Sequence, residues 1–158
     1  MAVATRSGWA AATGVLTALF GVRRPGCGRD DHVEDCAEEK RLAASLAAHA
    51  AGVAYPAQKA ELERVAGETA EHAEELAGLV RLRGLEPPEA QAPARPTEYP
   101  DMVRGIQEDV LALKRRIARY QDLLTGAPDD VKRVIRRIYE SKLEHLRALV
   151  AVVVRVVR

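Results

Sequence analysis

Apolar side chains recur along this chain at spacings of three and four, the period of a helix that buries one face. Four stretches carry the pattern. Residues 31–54 place Glu39, Leu42, Leu46, His49 and Val53 on one face. Tyr55-Pro56 ends that helix, because the residue before a proline is pushed out of the helical region. Residues 57–83 carry Leu62, Val65, Thr69, His72, Leu76, Leu79 and Val80, with Gly84 as the stop. A third helix starts near Pro100 and Asp101, its stripe running through Val103, Ile106, Val110, Leu113, Ile117, Tyr120 and Leu124. The fourth runs from about residue 130 to the C-terminus and has two apolar faces. One holds Val131, Ile135, Ile138, Lys142, His145, Leu149, Val152 and Val156; the other holds Tyr139, Leu143, Leu146, Val150, Val153 and Val157.

The connections read short, long, short. Residues 125–129 form a tight link, and Asp129 and Asp130 favour the positive end of the helix that follows. Residues 85–99 contain Pro87, Pro88, Pro93 and Pro96 and cannot be helical throughout. Extended, such a segment reaches roughly 50 Å, against roughly 38 Å for a helix of about 25 residues. The pattern predicts an all-α fold, a ferritin-like four-helix bundle with a long crossover between helices two and three. No βαβ alternation, glycine-rich phosphate loop or long internal repeat competes with it.

Composition fits helix-on-helix packing. The 158 residues suffice for one domain, and aromatics make up only 4% against 47% hydrophobic, so small and aliphatic side chains fill the core. Twenty-four basic and 23 acidic residues leave a net charge of +1, which gives no global field toward nucleic acid. Lys132, Arg133, Arg136 and Arg137 cluster, but Asp129, Asp130, Glu140 and Glu144 beside them make a solvated face. Domain organisation is a bundle over residues 31–158 preceded by a tail of residues 1–30.

Within that tail, residues 7–22 carry no charge and lie between Arg6 and Arg23-Arg24. Sixteen residues fall short of the roughly 20 of a membrane span but match a signal-peptide apolar region. A free or docked tail, a signal or weak membrane anchor, and an extra helix are the three readings. A cytoplasmic location is expected, with export or membrane attachment as the alternative. Cys27 and Cys36 with His32 between them fit no zinc-finger spacing, so two unrelated thiols are expected rather than a metal site or a disulfide.

Residues 65–88, VAGETAEHAEELAGLVRLRGLEPP, resemble the second helix of the ferritin-like superfamily, rubrerythrin-type members especially. Glu39, Ala43, Leu46 and Ala50 resemble that family's first helix, and IYESKLEHLRAL its fourth. The resemblance covers residues 31–149. It implies a di-iron site built from one Glu on helices one and three and a Glu-x-x-His on helices two and four. Glu39, His72 and His145 match ligand positions. Thr69 and Lys142 stand where the two Glu residues before the histidines are expected, and helix three offers Leu113 or Lys114.

That exchange decides the expected chemistry. Paired metal cations need several anionic oxygens, and a lysine in their place costs on the order of 4 kcal/mol per like-charge contact at about 4 Å and an effective dielectric near 20. The first expectation is a degenerate site in which Lys142 or Lys114 pairs with Glu39 and no cofactor is bound. The alternative is one iron or other divalent metal on Glu39, His72 and His145, with the lysines reaching outward. Glu68, Glu71, Glu74, Glu75 and Glu144 flank the stripe and read as solvated faces. No nucleophile–base grouping is evident. The expected role is non-enzymatic, binding or structural, of bacterial type and without a defined small-molecule substrate. Self-association is expected through the second face of helix four, and the alternative role is metal-binding redox or storage.

Overall fold

A computed structural model describes residues 31–89 and 98–157. Four helices account for its architecture: α1 (Asp31–Ala50), α2 (Pro56–Leu82), α3 (Tyr99–Gly126) and α4 (Asp129–Val156). Among the described residues there is no strand, and no helix is long and apolar enough to cross a membrane. The tail of residues 1–30, with Cys27, and the middle of the proline-rich connection lie outside the described residues.

Local chemistry sets the helix ends. Pro56 occupies the first turn of α2, where its missing N–H is no loss. At the other end Gly84 adopts φ +73°, its N–H bonds the Arg81 carbonyl, and the Leu85 N–H reaches back to the Val80 carbonyl. This pair of bonds closes the orphan carbonyls and needs the left-handed conformation that glycine adopts without strain. α3 runs to Gly126 and α4 starts at Asp129, so the link between them is only Ala127 and Pro128. α1 ends at Ala50, four residues before the proline-based expectation, although Val53 beyond it is still buried.

Packing is pairwise: α1 lies against α2 and α3, and α4 against the same two helices. Asp31 and Asp35 meet Arg119 and Arg116 near the end of α3, whereas His49 meets Asp109 nearer its start. α1 and α3 are therefore antiparallel. Glu75 meets Arg137 and Glu68 meets His145, so α2 and α4 are antiparallel too. Because the α1–α2 and α3–α4 links are short hairpins, α2 and α3 run parallel. Two apolar clusters fill the ends of the bundle. One includes Leu46, Leu62, Ile106 and Leu149, and the other Leu76, Leu123, Ile135 and Ile138. A polar layer lies between them.

Three of the four expected inward faces match. On α1, α2 and α4 the buried residues include Glu39, His72 and the whole row from Val131 to Val156. α3 differs by one residue of rotation. It buries Met102, Asp109, Arg116 and Leu123, while Val103, Val110, Ile117 and Leu124 are only partly covered. The reason is that Asp109 and Arg116 find charged partners on α1, so the polar residues turn inward with the apolar ones.

Candidate functional site

Every helix contributes to the polar layer. α1 supplies Asp35 and Glu39, α2 Thr69 and His72, α3 Arg116 and Tyr120, and α4 Lys142 and His145. Spacings of three or four residues within each helix put both members of each pair on the buried face.

The two Glu39 oxygens take different partners. Oε1 accepts the Tyr120 hydroxyl at 2.6 Å and the Arg116 Nε at 3.5 Å. Oε2 faces the Lys142 ammonium at 2.6 Å, an ion-pair contact rather than a well-directed hydrogen bond. Glu39 and Lys142 both have 0% exposure. Arg116 also donates to Asp35 at 2.7 Å and to the Tyr120 oxygen at 2.9 Å, and Lys142 donates to Thr69 Oγ1 at 3.1 Å. The result is a closed network of alternating charge that links α1, α3, α4 and α2.

Electrostatics follow from that geometry. Burial opposes ionisation of Glu39, but Lys142 and Arg116 outweigh it and hold the carboxyl below its ordinary range. Burial pulls the Lys142 ammonium below its usual range, with Glu39 opposing the shift. The Tyr120 phenol is raised by burial and by the Glu39 charge, so it remains a proton donor. Burial, reinforced by Lys142, pushes His72 down to about 4. Burial lowers His145 as well, against the pull of its hydrogen bond to Glu68. Both imidazoles are neutral at pH 7.

Their rings lie 5.6 Å apart at 31°. His145 Nε2 is 2.7 Å from the Glu68 carboxylate and 3.2 Å from the Ser141 hydroxyl. With its Nε2 proton given to Glu68, His145 cannot use the same atom to take a proton from Ser141. Ser45 and His49 both bond to Asp109, at 2.6 Å each. There the carboxylate is in the middle, so neither group has the nucleophile–base–carboxylate order. Among the described residues the Nδ1 atoms of His72 and His145 have no hydrogen-bond partner.

All three expected metal residues, Glu39, His72 and His145, therefore reach one layer. The alternative, in which the lysines reach outward, does not hold for Lys142: it points inward, because an anion and a hydroxyl await it. Lys114 is exposed, Leu113 is core, and Arg116 and Tyr120 are the α3 residues that meet Glu39. A second cation thus points where a bridging carboxylate would be needed, and the residues present do not fit a di-metal group. Among the described residues no group of three or more His, Cys, Asp or Glu side chains is arranged to hold a metal ion.

Arg116 and Asp35 were not evident in the sequence, and Glu68, read there as part of a solvated face, bonds His145. Arg116 and Tyr120 do stand four apart on α3, a spacing that can pair a guanidinium with a ring; the two lie 4.7 Å apart. Cys36 carries a free, buried thiol that bonds the Ala73 carbonyl at 3.4 Å, and burial raises its pKa. Compared with family models, curated proteins and solved structures, the chain matches none.

Proposed function

We propose that this chain is a ferritin-like bundle in which an ion-pair network replaces the di-iron centre, and that its role is non-enzymatic, structural or binding. The observation that carries the reading is the Lys142 ammonium 2.6 Å from Glu39 Oε2 with both side chains fully buried. A protein-supplied cation neutralises the carboxylate that would otherwise ligate metal, so the bundle needs no metal to balance that charge.

Helix order supports the ferritin-like frame. Parallel α2 and α3 require a connection that travels the length of the bundle. Lys40 donates to the Pro88 carbonyl at 2.9 Å and also faces Glu74, so four residues past Gly84 the chain already lies back alongside the middle of the bundle. That direction is the one a crossover to the start of α3 takes.

A second reading has one specific observation in its favour. The buried Nδ1 atoms of His72 and His145 have no hydrogen-bond partner among the described residues and the two rings lie 5.6 Å apart, imidazoles of the kind that suit iron or another divalent ion together with Glu39. It would require Lys142 to leave Glu39. Metal analysis of protein purified without chelator, repeated on His72→Ala and His145→Ala, separates the two. Sub-stoichiometric metal in all three supports the ion-pair reading. Stoichiometric iron or manganese that disappears in both variants overturns it.

A further inference from the structure

We infer that the outer face shared by α3 and α4 docks on an anionic lipid surface, through exposed aliphatic side chains and the unpaired cations beside them. Leu111, Val150, Val154 and Val157 are each 44–60% exposed. Leu111, Val150 and Val154 line a groove with Gln107, Val110 and Val153.

Helix phase places the cations. At about 100° per residue, Lys132, Arg136 and Arg147 all lie within about 60° of Val150 round α4. Lys114 lies within about 40° of the groove residues Gln107 and Val110 round α3. Lys114, Arg136 and Arg147 are exposed, and Lys132 is half-buried. Among the described residues none of the four has an ion-pair partner. The acids nearest this sector of α4 are Asp129 and Glu140, at about 60° and 80° from Val150. Asp129 stands in the first turn, about 30 Å along the helix from Val150.

Charge over the whole bundle is divided in the same sense. α1 and α2 carry 11 acidic and 5 basic residues, whereas α3 and α4 carry 8 and 12. The bundle is therefore a dipole whose positive side holds the apolar groove, although the chain as a whole carries only +1. Such a field turns this face toward a negative surface before contact is made.

Aliphatic and cationic groups on one face favour a lipid surface over other polyanions. A phosphate polymer would engage the four cations but leave Leu111, Val150, Val154 and Val157 in water. A bilayer interface takes both. Its headgroups meet the cations, and the aliphatic side chains enter the headgroup–acyl boundary, which such faces reach at a depth of about 5–10 Å. These residues lie on the outer face, away from the Glu39–Lys142 layer, so this inference and the ion-pair reading fail independently.

Cosedimentation of the full chain with vesicles tests the inference, using phosphatidylcholine alone or mixed equally with phosphatidylglycerol. Binding is expected to the mixed vesicles only, and added salt should weaken it. Lys114→Glu with Arg147→Glu should lower the affinity by at least about tenfold, and Val150→Ser with Val154→Ser by about tenfold. Lys59→Glu with Arg81→Glu makes the same change of net charge on α2 and should leave binding within about twofold. Helix content should be unchanged in all three, because every substituted side chain is exposed. No binding to either vesicle, or equal binding to both, overturns the inference. Equal loss in the α2 variant overturns it too, since net charge alone would then explain the binding. Binding indifferent to both α3–α4 variants places the contact elsewhere on the chain and likewise overturns it. So does a charge-variant loss that the valine variant does not share, paired with capture of a single-stranded oligonucleotide.

Discussion

Lys142 Nζ lies 2.6 Å from Glu39 Oε2 at the centre of the bundle, joining α4 to α1, with neither side chain exposed. Two buried charges this close are costly to separate, since removing one partner leaves the other uncompensated in a low-dielectric interior. Lys142→Met should therefore destabilise the fold by about 3 kcal/mol. Glu39→Leu should cost more, because both Lys142 and Arg116 lose their shared anion. The double variant should cost less than the sum, as contacting residues do not add. Denaturant unfolding of the four species measures the coupling, and strict additivity would show the pair to be energetically unimportant.

Restoring the carboxylates should restore metal affinity. Thr69→Glu with Lys142→Glu recreates Glu-x-x-His on α2 and α4 beside Glu39. Without metal this variant should be less stable than the parent, because like charges crowd one buried layer. Added iron(II) or manganese(II) should raise its melting temperature in a saturable way. A melting temperature indifferent to either ion would argue against the ferritin-like placement of these positions.

Acid should weaken the fold from near neutrality downward. The unfolded chain protonates its histidines near 6.5, whereas burial holds His72 to about 4. Between those values the unfolded state binds more protons, so stability rises with pH there and is lost as pH falls from about 6.5 to about 4. His72 alone contributes a loss of up to about 3 kcal/mol, and the lowered His145 adds to it. Glu39, also lowered, extends the loss below its ordinary range. Urea midpoints measured across this window should lose much of their slope in His72→Leu; an unchanged slope would assign the acid sensitivity elsewhere.

Gly105 should be intolerant of any side chain. An added Cβ would sit 2.1 Å from His49 Nε2, so the ring must leave the Asp109 carboxylate it contacts at 2.6 Å. Gly105→Ala should cost about 2 kcal/mol. Combined with His49→Ala it should add little further loss, because the clash is already gone. Thermal unfolding of the three variants decides this.

Much of the architecture was legible in the chain because apolar periodicity and proline placement are local signals. The inward row of α4, Val131 through Lys142 and His145 to Val156, follows from spacing alone. α3 did not, because its inner face carries Asp109 and Arg116 where apolar spacing favours Val110 and Ile117. What turns those polar residues inward is Asp35, Glu39 and His49 on α1, partners that lie some 60 to 80 positions away in sequence. The site was legible as a set of positions. Glu39, His72 and His145 converge as their faces imply, but the choice between Lys142 and Lys114 rests on three-dimensional register, which spacing does not fix.

Titration of the full-length chain with iron(II) under anaerobic conditions, followed by heat and by melting temperature, tests the central claim most directly. A bundle whose central carboxylate is already neutralised by Lys142 and Arg116 should show no saturable binding and no rise in melting temperature. Saturable binding at one or two ions per chain, with a rise in melting temperature that His72→Ala and His145→Ala both abolish, would contradict it.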